Sequence, residues 1–69
     1  MNLVLIFDDD FLSPTRVRLT GRRREHVRSV HRAAVGDDLV VGVIKGRIGR
    51  GTITRLDTDA LEMDVTLDR

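Results

Sequence analysis

The sequence predicts a mainly β domain: a small antiparallel sheet, curled or closed on itself, with one short α-helix packed against it. Three observations carry that expectation. Residues 61–68 alternate apolar and polar side chains without a break; short apolar runs upstream are punctuated by Gly, Pro and Asp; and only one stretch, opening at Thr20, has helical spacing. A chain of 69 residues forms one domain. At this size it buries about 60% of the surface that its unfolded form exposes, so its core is thin.

The elements follow in order. Residues 3–7, LVLIF, read as a short buried strand that ends at Asp8-Asp9-Asp10, and Ser13-Pro14 breaks the chain. Arg16-Val17-Arg18-Leu19 alternates as a second strand. Thr20 is the expected N-cap of the helix and Gly36 its end. At helical spacing Val27, Val30 and Ala34 form an apolar stripe, flanked by His26 and Ala33. Arg24, Arg28 and Arg32 fall on the opposite side, at i, i+4 and i+8. Gly36-Asp37-Asp38 turns into a strand over residues 39–44 that is apolar on both faces. Lys45-Gly46-Arg47 is the expected hairpin tip, and residues 49–56 are its returning strand. Asp57-Thr58-Asp59 then leads into the last strand, where Leu61, Met63, Val65 and Leu67 face the core. The total is about five strands and one helix.

Composition removes several classes of function. There is no cysteine, hence no disulfide and no thiolate nucleophile or zinc ligand, which suits a reducing, cytoplasmic setting. The LVLIF run is too short for a signal peptide or a membrane span. With two Phe and no Tyr or Trp, the chain lacks the aromatic platform of many single-strand binders. No nucleophile–base pair and no phosphate-cradling glycine loop is present, so the chain alone does not read as an enzyme.

A formal charge of +1 hides a segregated distribution. The three acids of residues 1–15 have no base beside them; residues 16–55 hold eleven bases and three acids; residues 56–69 hold one base and five acids. Such asymmetry speaks of partners rather than of fold. Arg22, Arg23 and Arg24 occupy the helix's first turn, where the backbone dipole favours acids and only Glu25 offers relief. An anion reverses that penalty, because free backbone N–H groups and guanidinium forks then share one ligand, and phosphate fits both. Eleven Arg to one Lys suits bidentate phosphate contact. The plain alternative is a solvated face rich in arginine. A second basic cluster, KGRIGRG at residues 45–51, sets Lys45, Arg47 and Arg50 among glycines; it reads equally as a backbone-following hairpin and as an ordinary exposed turn. His26 and His31 are five apart, on different sides of a helix, and do not make a metal pair. His26 is expected at the core edge and His31 at the surface. Asp8-Asp9-Asp10 reads as a solvated loop rather than a cation site.

One block gives a sharper lead. Leu19-Thr20-Gly21, then H-V-x-x-V-x-R over residues 26–32 and A-V-G-D-x-L-x-V over residues 34–41, resembles the N-terminal PUA-like domain of the RsmE family. That family comprises bacterial methyltransferases acting on uridine N3 of 16S ribosomal RNA. The resemblance runs through essentially the whole chain. It implies a PUA-like β-barrel with one packed helix, a domain that grips ribosomal RNA for a C-terminal knotted SPOUT domain. That second domain, absent from these residues, would bind S-adenosylmethionine and form a homodimer; no cofactor is expected in this chain. His26, Val30, Arg32, Gly36 and Asp37 fall on the block's recurring positions, which makes Arg32 the first RNA contact to test, beside Arg28 and Arg24, with Gly36 and Asp37 as turn formers. His31 stands where most members have Leu, the arginine often found in the first strand is replaced within residues 3–7, and the usual Asp-Gly hairpin turn is Val43-Ile44.

The sequence-level candidates for RNA contact are therefore Arg22, Arg23, Arg24, Arg28, Arg32, Lys45, Arg47 and Arg50. The rival expectation is a protein-docking module that pairs through the last strand, residues 61–67, or through the LVLIF edge. Methyl transfer by this chain alone fails for want of a cofactor site.

Overall fold

Six strands and one α-helix build the domain, in a computed structural model that describes residues 3–68. They are β1 (Val4–Ile6), β2 (Phe11–Ser13), β3 (Arg16–Leu19), α1 (Gly21–His31), β4 (Asp38–Val43), β5 (Ile48–Leu56) and β6 (Leu61–Leu67), with a 3-10 turn at Asp8–Asp10. The strands form one sheet in the order β1-β4-β5-β6-β3-β2, curled into a half-barrel. Mainly β with one helix, as expected, the sheet is antiparallel throughout except at its first edge, where β1 pairs parallel to β4.

The alternation that the sequence displays is what fills the core. Val17 and Leu19 of β3, Val41 of β4, Ile53 of β5, and Leu61 and Met63 of β6 point into the curl, where each is at most 1% exposed. Ile6 of β1 joins them, and Val27 of α1 closes the open side. Gly49 has a specific task in this packing. A Cβ there would collide with the Thr66 carbonyl oxygen, so only hydrogen lets β5 lie against β6 at that point.

Four features depart from the sequence expectation. β2 is a sixth strand, missed because its three residues are too few to show a period; pairing with β3 creates it. The helix stops at His31 rather than near Gly36. Arg32 takes the left-handed conformation (φ 49°, ψ 47°), and the N–H groups of Arg32 and Ala33 both donate to the Arg28 carbonyl. Tertiary and turn bonds compete for the next residues. Asp37 accepts from the Ala34 N–H at 2.9 Å, and Gly36 N–H donates to the Ile53 carbonyl at 2.8 Å. Gly36 and Asp37 are thus turn formers, with Gly36 at φ 96°. In consequence the apolar stripe is shorter than its spacing suggests: Val27 is buried and Ala33 half-buried, while Val30 is 47% exposed and Ala34 is exposed too. Finally, β6 lies between β5 and β3 and has no free edge, so it cannot dock a partner strand. Of the two strands named for that role, only β1 is at an edge.

Candidate nucleic-acid interface

Register decides which arginines are free. On the outer face of the sheet β3, β6 and β5 set bases directly across from acids: Arg16 opposite Asp64, and Arg18 and Arg55 on either side of Glu62. A bulge between Ile53 and Arg55 turns Arg55 onto this face. Glu62 Oε2 accepts from Arg18 Nε and from Arg55 Nη1, each at 3.0 Å, and Arg55 Nε donates to Asp57 Oδ2 at 2.6 Å. Glu62 is only 7% exposed, a buried charge on a strand position that the alternation assigns to solvent. Burial works to raise its pKa, but the two guanidiniums outweigh it and hold the carboxyl below the ordinary range. Arg50 lies on the same face, 4.0 Å from Asp38 and close to Asp64 and Asp68.

The C-terminal acids therefore neutralise arginines, but those of the strands, not those of the helix. On α1, Arg24 and Arg28 share Glu25, whose pKa falls chiefly through the Arg28 hydrogen bond. Arg23 is engaged more tightly: Nη1 and Nη2 donate to the two Asp10 carboxylate oxygens at 2.6 and 2.7 Å, and Nη2 also donates to the Leu5 carbonyl at 2.9 Å. Its guanidinium carbon stands 4.7 Å from the centre of the Phe7 ring. Asp10, read from sequence as solvated, instead closes its own turn by accepting the Phe7 N–H at 2.8 Å. Burial opposes its ionisation, yet Arg23 and that backbone bond keep its pKa low. A Phe7–Asp10 spacing of three was the sequence signal for this cap, masked by the two further aspartates.

Arg22, Arg32, Lys45 and Arg47 are exposed and have no ion-pair partner among the described residues. Of the five arginines of residues 22–32, Arg23 pairs with Asp10, and Arg24 and Arg28 pair with Glu25, which leaves Arg22 and Arg32 without an ion-pair partner among the described residues. The expected ladder is corrected in detail. Arg24 is largely covered, with 16% of its side chain exposed, and Arg32 sits past the helix end. Lys45 and Arg47 form a separate basic group on the β4–β5 hairpin. Ile44 N–H donates to the carbonyl of Ile6, so the hairpin tip lies beyond the C-terminal end of β1, whereas α1 leaves β3 at Leu19, which pairs with Leu61 at the opposite end of β6. Thr20 takes the N-cap position but makes no side-chain cap bond, and no acid lies in the first turn.

Between β1 and α1 lies a cleft of about 360 Å³, walled by Leu3, Leu5 and Phe7 from the strand side and by Arg22, His26 and His31 from the helix. Both histidines thus face one space, although they stand on different sides of the helix. The curl of the sheet brings the β1 edge along the helix, which no helical projection contains.

A crystal structure of a predicted RNA methyltransferase from Thermotoga maritima superposes with a TM-score of 0.69 at 18% identity, over 90% of this chain and 28% of that one. Ribosomal RNA small subunit methyltransferase E from Neisseria gonorrhoeae, solved with S-adenosyl methionine, gives 0.67 at 19% identity over 97% and 28%. A crystal structure of a hypothetical protein gives 0.73 at 17% over 93% and 27%. The likeness is one of fold. This chain spans little more than a quarter of each neighbour, and no protein-family model or curated protein matches its sequence. Among the described residues no helix is long and apolar enough to cross a membrane.

Proposed function

We propose that residues 1–69 are a PUA-like RNA-binding domain of an RsmE-type enzyme, an S-adenosylmethionine-dependent methyltransferase of a 16S ribosomal RNA uridine. The domain positions ribosomal RNA through phosphates on the basic helix face. The observation that carries this reading is the sorting of charge: the sheet's arginines are matched by acids, while Arg22, Arg32, Lys45 and Arg47 are left unmatched on a fold shared with a ribosomal RNA methyltransferase. Arg28 adds a half-matched charge, since it shares Glu25 with Arg24. Contacts of this type fix register and orientation and leave sequence choice to other groups.

The methyl donor belongs elsewhere. No carboxylate lines the cleft to meet a sulfonium cation or a ribose diol, and its unmatched charge is the Arg22 cation. Those residues do not fit S-adenosylmethionine. Chemistry is assigned to a C-terminal methyltransferase domain, with the homodimer and the cytoplasmic setting that such an enzyme implies.

The test is a salt titration of RNA binding. Arg28→Ala with Arg32→Ala should weaken binding several-fold for unrelated RNA sequences and lower the slope of log affinity against log salt by about 1–2. Unchanged affinity and slope in the double variant would remove the helix face from the interface.

A further inference from the structure

Resting on the RNA reading above, we infer that the cleft between β1 and α1 receives one unstacked base of a single-stranded RNA segment whose phosphates lie on the neighbouring basic groups. Four observations lead there. The strand wall is apolar and open, with Leu3 39%, Leu5 45% and Phe7 37% exposed, an unusual arrangement for an edge strand in so small a domain. The opposite wall carries His26 and His31, whose imidazoles are flat groups on which a base stacks. The volume, about 360 Å³, falls at the lower end of the roughly 300–1,000 Å³ usual for small-ligand sites. Unmatched charge then lies where the backbone of such a nucleotide must run, on Arg22 at the rim.

The same geometry disfavours an extended peptide. A strand added to the β1 edge needs the Leu5 carbonyl, and Arg23 already occupies it at 2.9 Å while bound to Asp10. An acidic peptide lying over the cleft would gain Arg22 but leave the flat histidine wall unused. A nucleotide uses both, with its base in the apolar slot and its phosphate on the guanidinium.

The experiment compares two polymers on the same 69-residue chain: an oligouridylate, and an abasic ribose-phosphate chain of equal length. Phosphate contacts alone give equal affinities; a seated base gives the oligouridylate an advantage of about tenfold. Ring-current shifts of the Leu5 and Val27 methyl resonances should accompany that advantage. Leu5→Ser, at a half-exposed position, should erase the preference while leaving the affinity for the abasic chain unchanged. Equal binding of the two polymers by the parent chain overturns the inference and spares the phosphate reading. Failure to bind either polymer overturns both. A self-association that Leu5→Ser dissolves, with no preference for bases, assigns the cleft to a protein contact and overturns the inference as well. The parent comparison needs no variant to fold.

Discussion

Arg23 and Asp10 meet as a two-pronged ion pair that ties the helix's first turn to the 3-10 turn after β1. Because Arg23 also holds the Leu5 carbonyl and covers the Phe7 ring, one side chain joins helix, edge strand and turn. Asp10→Asn should cost about 1–2 kcal/mol in chemical denaturation, since it removes a charge-assisted, partly buried contact. An unchanged midpoint would mean that the turn holds without it.

The same pair predicts unequal roles for two adjacent arginines. Arg22 is unmatched, whereas Arg23 is already neutralised by Asp10. Arg22→Ala should lower the salt slope of RNA binding by about 1, and Arg23→Ala should change it far less. Equal losses from the two would show that RNA displaces Asp10.

On the sheet's outer face, Glu62→Ala should lower the melting temperature by about 5 °C, because Arg18 loses its carboxylate acceptor and Arg55 one of its two. Arg16→Ala should shift it by no more than about 2 °C, as the Arg16–Asp64 pair is 3.4 Å long and about half exposed on both sides. Thermal unfolding followed by circular dichroism separates the two.

Asp57 provides the pH prediction. Arg55 first, and then the N–H groups of Ala60 and Asp59, lower its pKa from 3.8 to about 2. Since the folded value is the lower one, its contribution to stability is complete above the unfolded value and drains away as pH falls from about 4 to 2. A carboxyl-carbon NMR titration should place the Asp57 midpoint near 2, and Arg55→Ala should return it toward 3.8. A midpoint near 3.8 in the parent would mean that Arg55 does not hold it.

Two packing variants test the fold itself. Gly49→Ala should cost at least about 3 kcal/mol, since the new methyl strikes the Thr66 backbone rather than a movable side chain. In a domain of this size that is a large share of total stability. Val27→Ala should cost about 2 kcal/mol and loosen α1, whose deepest contact with the core it is. Native-state hydrogen exchange would report that loosening as faster exchange confined to residues 21–31.

Strict alternation over residues 61–67, the turn signals at Lys45-Gly46-Arg47 and Asp57-Thr58-Asp59, and the helix opening at Thr20 were legible in the sequence because each is a local property of the backbone. From them the chain by itself determined a mainly β sheet carrying one helix, and arginine gathered in the middle of its length. Tertiary structure alone decided which arginines stay free, since cross-strand register puts Glu62 between Arg18 and Arg55 and the fold sets Asp10 against Arg23. It likewise ended the helix at His31, by giving Gly36 a bond to Ile53, and opened the cleft by laying an edge strand along α1. The physical reason is one of range. Periodicity and turn chemistry act over a few residues, whereas charge neutralisation and enclosed space depend on segments that meet only when the sheet closes.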